Sequence, residues 1–281
     1  MLAAAERAGV GAGRRFGEVI LETKGLTRVF GSGSHRLVAV DHVDFQIRSG
    51  EIVALIGESG SGKTTMGRML LGLLAPTEGQ VLFRGKDLEE YRKRREMRAY
   101  WRSVQAVFQD PFASFNSFYK VSRTLMNAFK LLPKRPPEDE RKEKIYRAVD
   151  AVGLNPGEVL DKHPHELSGG QRQRLMIARA LLVEPEVLIA DEPTSMVDAS
   201  SRASVLNILL DLRERLNLTI IFITHDIGMA YYTSDRLLIM QHGRIVEQGP
   251  SEEIIRDPRH EYTKRLLSDV PTLHQEWELS S

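Results

Sequence analysis

The sequence predicts an α/β fold: a mostly parallel sheet with helices on both faces, joined to an antiparallel β subdomain and an α-helical subdomain. Three observations point there. Ile52–Ile56, Val187–Ala190 and the β-branched run Thr219–Thr224 are short, nearly all-apolar segments, as strands buried on both faces of a parallel sheet are. Val38-Ala39-Val40 and Val43-Asp44-Phe45-Gln46-Ile47 instead suit antiparallel strands, the second alternating apolar with polar. Between residues 109 and 168 the pattern turns helical.

The elements follow in order. Residues 1–17 are rich in Ala, Gly and Arg without a sustained apolar core, so they read as a loose N-terminal extension and not as a secretory signal. Glu18 to about Arg48 supplies the antiparallel strands. Ile52–Ile56 enters a Gly-rich loop, and Thr65–Leu71 continues from that loop as a helix. Pro76-Thr77-Glu78-Gly79 is a turn before the strand Gln80–Phe83. Arg92–Arg98 is a basic cluster, but Asp87, Glu89, Glu90 and Glu96 mix with it, which favours a solvated helix without a nucleic-acid or lipid role. Val104–Phe108 is a strand that ends at Gln109. Pro133 and Pro136-Pro137 break the helical insert, and Glu138–Val152 forms a charged amphipathic helix within it. The helical subdomain spans about 105–178, and the helix Arg172–Leu182 stops at Glu184-Pro185.

Composition narrows the class. A chain of 281 residues can bury a core for one domain with a subdomain. A net charge of +1 gives no broad field for nucleic acid, and with no cysteine there is neither a disulfide nor a thiolate-bound metal. No run approaches the ~18 apolar residues of a membrane span.

The chemistry begins at Gly57-Glu58-Ser59-Gly60-Ser61-Gly62-Lys63-Thr64. Glycines let the backbone approach phosphates and turn successive N–H groups inward. The helix that starts there adds its positive dipole end. Lys63 supplies a cation for the β- and γ-phosphates, the Thr64 hydroxyl can ligate Mg²⁺, and Thr65 extends the cradle. A flexible Gly/Ser turn is the bland alternative, and the strand–loop–helix context with Lys-Thr argues against it. The core is therefore that of a P-loop NTPase.

Asp191-Glu192 stands at the C-terminal end of the strand Val187–Ala190, the end at which open α/β sheets bind ligands. Asp191 can orient Mg²⁺, and Glu192 can accept a proton from water attacking a γ-phosphate. Ser168-Gly169-Gly170-Gln171 reads in two ways. Ser-x-x-Gln is a capping box, yet two glycines at a helix start cost about 1 kcal/mol each relative to Ala, which makes sense where backbone lies against an anionic ligand.

Leu167-Ser168-Gly169-Gly170-Gln171, with the phosphate loop before it and Asp191-Glu192 after it, resembles the ATP-binding cassette (ABC) family from about Glu18 to Pro271. The resemblance implies ATP and Mg²⁺ as cofactors and a head-to-tail ATPase dimer, in which the signature pentapeptide of one subunit closes on the ATP held by the loop of the other. It also implies four further roles. Gln109 matches the Q-loop glutamine that contacts Mg²⁺ and water, and His225 matches the switch histidine beside Glu192. Ser195-Met196-Val197-Asp198 takes the D-loop position, with Ser195 and Asp198 as its polar ends and Met-Val where the family more often has Ala-Leu. Phe30 aligns with the aromatic that stacks on adenine, with an ordinary core phenylalanine as the alternative.

Gln109–Asn116 and Asp257–Leu267 resemble the oligopeptide, dipeptide and nickel importer branch, in its second and shorter ATPase type, although Glu261 replaces a proline in the His-Pro-Tyr-Thr segment of the tail. Ser195–Arg202 also resembles members that import oligosaccharides. Residues 18–255 then form the ATPase domain and 256–281 a C-terminal importer-type tail. The resemblance implies a second ABC ATPase subunit as heterodimer partner, two transmembrane permease subunits and an extracytoplasmic solute-binding protein. It puts the chain on the cytoplasmic face of the membrane, with no nucleic-acid partner. The rival readings are a soluble ABC ATPase on nucleic acid or ribosomes, an exporter, and a regulatory ATP-binding partner.

Overall fold

The computed structural model describes residues 15–91, 93–109 and 115–268. Most of the expected N-terminal extension, Arg92, Asp110–Ser114 of the Q-loop extension and the tail beyond Ser268 lie outside the described residues.

Strands β1 (Val19–Phe30) and β2 (Leu37–Arg48) form an antiparallel pair, and β2 runs unbroken through both stretches that the sequence reads separately. Four register shifts break the β1–β2 pairing, and the one between Leu26 and Arg28 lies opposite Asp41 and His42. β3 (Ile52–Ile56) leads to helix α1 (Lys63–Leu70), and β4 (Glu78–Phe83) and β5 (Lys86–Asp87) complete a four-stranded antiparallel sheet in the order β2-β1-β4-β5. Helix α2 (Arg94–Ser103) carries the basic cluster. Its Arg94, Arg95 and Arg98 are exposed, while buried Tyr100 donates its hydroxyl to the Leu70 carbonyl and Trp101 Nε1 donates to the Leu71 carbonyl at 2.9 Å. The helix is thus fixed to the end of α1 by its apolar face.

β6 (Val104–Val107) belongs to the main sheet, pairing parallel with a later strand, so the helical boundary expected near residue 105 falls inside a strand. The described helices of the insert are α3 (Val121–Ala128), α4 (Glu138–Ala151) and α5 (Pro156–Val159), and α6 (Gly169–Leu181) returns the chain to the sheet. Then come β7 (Val187–Asp191), α7 (Ala199–Leu216), β8 (Thr219–Thr224), α8 (Ile227–Thr233), β9 (Arg236–Gln241), β10 (Arg244–Pro250), α9 (Ser251–Arg256) and α10 (Glu261–Ser268). The six-stranded sheet has the order β10-β9-β3-β8-β7-β6 and is parallel except for β10 against β9.

The all-apolar strands are explained by two cores. Ile52, Ala54, Ile56, Leu188, Ala190, Ile220 and Phe222 face a core shared with the helical insert. Their alternates Val53, Leu55, Val187, Ile189, Ile221 and Ile223 face the core that joins α1 to the antiparallel sheet. Side chains alternate along a strand, so a strand between two cores has no polar face. Burying each large aliphatic side chain contributes roughly 1.5–3 kcal/mol. The central strands are therefore a rigid platform for whatever their C-terminal ends carry. Among the described residues no helix is long and apolar enough to cross a membrane.

Candidate functional site

The phosphate loop leaves the C-terminal end of β3, between β9 and β8. Two of its glycines are demanded by the protein's own backbone. A Cβ on Gly57 would lie 2.2 Å from the Met240 carbonyl oxygen, and one on Gly62 2.2 Å from that of Ala39. Gly62 also has φ +108°, and as the N-cap of α1 it brings no side chain to cap the first amides of that helix. The Gly243 N–H ties the loop to the β9–β10 turn through the Ser61 carbonyl at 2.9 Å.

Lys63 is buried and folds back on the loop, donating from Nζ to the carbonyls of Gly57 at 2.6 Å and Glu58 at 2.9 Å. Burial lowers its pKa, against the opposing fields of Glu192, Asp191 and Glu58. Asp191, buried at the end of β7, is hydrogen-bonded by the Thr64 side chain. Its pKa is raised by burial and then by neighbouring Glu192, while Lys63, Thr64 and Arg68 oppose the rise.

Asp191 Oδ1 and Ser61 Oγ are buried without a hydrogen-bond partner among the described residues. An unmet buried acceptor costs about 1–3 kcal/mol, and Asp191 Oδ1 belongs to the carboxylate whose charged and polar neighbours include Lys63 and Thr64 of the loop. No cluster of three His, Asp or Glu among the described residues forms a protein-made metal cage. Mg²⁺ takes one or two carboxylates together with phosphate oxygens, and Asp191 beside Thr64 is a donor pair of that kind. The donors fit a Mg²⁺-bound nucleoside triphosphate.

Glu192 follows β7 with φ +49°, a left-handed conformation that costs a non-glycine residue roughly 1–3 kcal/mol. A neighbouring strand and the following loop hold it there: its N–H donates to the Ile223 carbonyl of β8 at 2.9 Å, and its carbonyl accepts from Ser195 Oγ at 3.0 Å. Its Oε1 lies 2.8 Å from His225 Nδ1. The carboxylate is largely buried, whereas the His225 ring is 65% exposed and caps it from the solvent side. Lys63, Thr64, Asp191, Glu192 and His225 thus meet at the C-terminal edge of three adjacent strands. Gln109 is exposed two residues beyond β6, whose Val107 pairs with Ala190.

The signature segment is a second helix start of another kind. Ser168 Oγ accepts from the Gln171 N–H at 3.1 Å, and Gln171 Oε1 accepts from the Ser168 N–H at 3.0 Å, so the capping box is formed. Leu167 is buried. A Cβ on Gly169 would lie 2.6 Å from the Met196 carbonyl, and one on Gly170 3.4 Å from Ser201. Gly169 therefore already has a reason inside the chain, the passage of the Ser195–Asp198 loop across the helix start, whereas a Cβ on Gly170 would make ordinary contact. Asp198 caps α7 by accepting from the Ser201 N–H at 3.1 Å. Phe30 is 37% exposed at the end of β1, with the Arg28 guanidinium 4.7 Å from its ring centroid, which rules out an ordinary core phenylalanine.

Sequence reading missed two things. The carbonyls of Met240 and Ala39 that enforce the glycines come from strands distant in sequence. The hydroxyl of Tyr262, on α10, accepts from the Glu58 N–H at 2.9 Å. Tyr262 stands out in the sequence only as part of the tail segment, and no local signal ties it to the loop.

Comparison with known proteins gives a consistent set. The family model described as ABC transporter matches residues 40–195. The one described as oligopeptide/dipeptide transporter, C-terminal region, matches residues 246–281. The chain is 43% identical over 253 residues to a putative peptide import ATP-binding protein of Brucella ovis, covering 90% of this chain and 79% of the relative. It is 40% identical over 261 residues to an oligopeptide transport ATP-binding protein of Bacillus subtilis, covering 93% and 85%. Among solved structures it is similar to cbiO1 from Clostridium perfringens, part of an ABC transporter complex, with TM-score 0.75, 31% identity and coverage of 85% and 92%. It also resembles an ATP-binding cassette solved as a dimer in a post-hydrolysis state with ADP and Pi, with TM-score 0.75, 25% identity and coverage of 83% and 99%.

Proposed function

Because the chain belongs to the ABC transporter ATPase family, we propose that it is the ATP-hydrolysing subunit of an importer for oligopeptide-sized solutes. One observation carries the reading. Lys63, Thr64, Asp191, Glu192 and His225 converge at the strand ends of a chain whose last residues match an oligopeptide/dipeptide transporter region. The peptide class is favoured over oligosaccharide because the relatives above are named for peptide or oligopeptide transport.

In this reading the loop Gly57–Thr65 and Lys63 hold the phosphates, and Phe30 stacks on adenine. Thr64, Asp191 and Gln109 hold Mg²⁺, which neutralises phosphate charge. Glu192 takes a proton from the attacking water, and the 2.8 Å contact with His225 fixes which way its carboxylate points. Leu167–Gln171 completes the ATP site of another ATPase subunit, with Ser195 and Asp198 between the two sites. The dimeric, ADP- and Pi-bound relative supports such a pairing. The partners are a second ABC ATPase, two permeases and an extracytoplasmic binding protein, with this chain peripheral on the cytoplasmic face.

The test is co-purification of the full chain from its native membranes in mild detergent, with mass spectrometry of what accompanies it. Two polytopic membrane proteins and a second ATPase are expected. Recovery with ribosomes or DNA, and no membrane protein, would overturn the importer reading.

A further inference from the structure

We propose that Tyr262 is a positioning residue for the phosphate loop, and that α10 is a strap holding the loop's first peptide in its nucleotide-binding shape. The proposal rests on the ATP-binding reading above and goes beyond it by giving the C-terminal region a task.

The Gly57–Glu58 peptide group is held on both edges. Its carbonyl, that of Gly57, accepts from Lys63 Nζ at 2.6 Å, and its N–H, that of Glu58, donates to the Tyr262 hydroxyl at 2.9 Å. The two contacts differ in kind. Lys63 Nζ has three donors, spends two on the carbonyls of Gly57 and Glu58 and keeps one for a phosphate, whereas the Tyr262 hydroxyl serves the N–H edge of the peptide. The Tyr262 ring is 3% exposed and packs in the main core, with Leu266 and Leu267 against the same core, so its hydroxyl is fixed in space. Arg265, one turn on, lies 3.4 Å from the Glu58 carboxylate, an exposed pair that adds direction more than strength.

The strap is anchored at its other end. The Glu247 carboxylate of β10 accepts from the N–H groups of Arg259 at 2.8 Å and His260 at 3.1 Å, and His260 Nδ1 accepts from the Tyr262 N–H at 3.1 Å. β10 pairs with β9, and β9 with β3, the strand that opens into the loop. The chain therefore closes a ring from β3 through the sheet edge and α10 back to the loop. A loop kept in its binding shape spends less of its ligand's binding energy on ordering.

The test uses the full chain with Tyr262→Phe, which removes one oxygen and keeps the ring. Calorimetry with ATP and Mg²⁺ should show affinity about three- to tenfold weaker, the worth of one hydrogen bond. The melting temperature without nucleotide should stay within about 2 °C of the parent. In the assembled complex the KM for ATP should rise with kcat held within about twofold. A purely structural tyrosine would instead lower the nucleotide-free melting temperature and leave affinity alone, which overturns the proposal. So does equal affinity of variant and parent. Should the variant fail to fold, hydrogen exchange at the Glu58 amide of the parent decides. Slow exchange before nucleotide is added supports the strap, and exchange as fast as in an exposed loop overturns it. A parent that binds no ATP would overturn the underlying reading, a result separate from these.

Discussion

The chain has two helix starts that its sequence marks for anions, and they differ in what satisfies their amides. At α1 the N-cap is Gly62, which has no side chain to cap the helix, and among the described residues Lys63 Nζ donates to two loop carbonyls. At α6, Ser168 and Gln171 cap each other's backbone, and the Gly169 backbone is pressed on the Met196 carbonyl. The first start is unfinished by its own chain. The second is finished as a helix start but spends its capping acceptors on the amides of Ser168 and Gln171, none on Gly169 or Gly170. A start without protein caps can bind a ligand alone, whereas a self-capped one adds to a site that something else has already formed.

Glu192→Gln sharpens this contrast most strongly. Removing the proton acceptor while keeping its shape should lower hydrolysis by the assembled complex about 10²- to 10⁴-fold and leave ATP bound. In that trapped state, hydrogen exchange at residues 169–172 should slow only when the partner ATPase is present. Slowing in the isolated chain would mean that both starts serve one nucleotide, and the comparison would break. Hydrolysis at the parental rate would remove Glu192 from its role.

Lys63→Ala comes next. A buried charge-assisted contact to phosphate is lost, and ATP affinity of the isolated chain should fall about 10- to 100-fold by calorimetry. The pH dependence has a definite sign. Burial lowers the Lys63 pKa, so the free chain loses this cation below the ordinary lysine range near ~10.4, and ATP affinity should weaken there as pH rises. Unchanged binding by the alanine variant would show that α1 and the glycines hold the phosphates without it.

What could be read from sequence follows the same division. The loop, its strand and its helix are local, and the capping box spans a few residues, so both are visible in a single pass. The antiparallel β9–β10 edge was not anticipated, and β2 read as two pieces because Asp41 and His42 interrupt its apolar pattern. Glu192 was legible as a carboxylate at a strand end. Its positive φ was not, because the Ile223 carbonyl that holds it arrives only when β7 and β8 lie side by side. The Gly57 and Gly62 spacing reads as room for phosphate, and the structure adds carbonyls of Met240 and Ala39 that no short-range pattern contains. Contacts across the sheet are the common reason for what stayed hidden.

Ser168→Ala is the smallest and most discriminating change. Among the described residues the exposed hydroxyl has one task, accepting the Gln171 N–H at 3.1 Å, and a lost N-cap costs about 0.5–2 kcal/mol. For a chain of this size that is a fall of a few degrees in melting temperature. If the second start acts only on a neighbour's nucleotide, ATP affinity of the isolated chain should not change at all, and turnover of the assembled complex should fall well beyond what the lost cap explains. The ratio of those two effects separates a cap from a binding group. A variant that loses melting temperature and keeps full turnover in the complex would reduce Ser168 to a cap, and the capping box would then account for this serine by itself. A variant that loses affinity as an isolated chain, to the degree that Lys63→Ala does, would place both starts on one nucleotide and erase the difference between them.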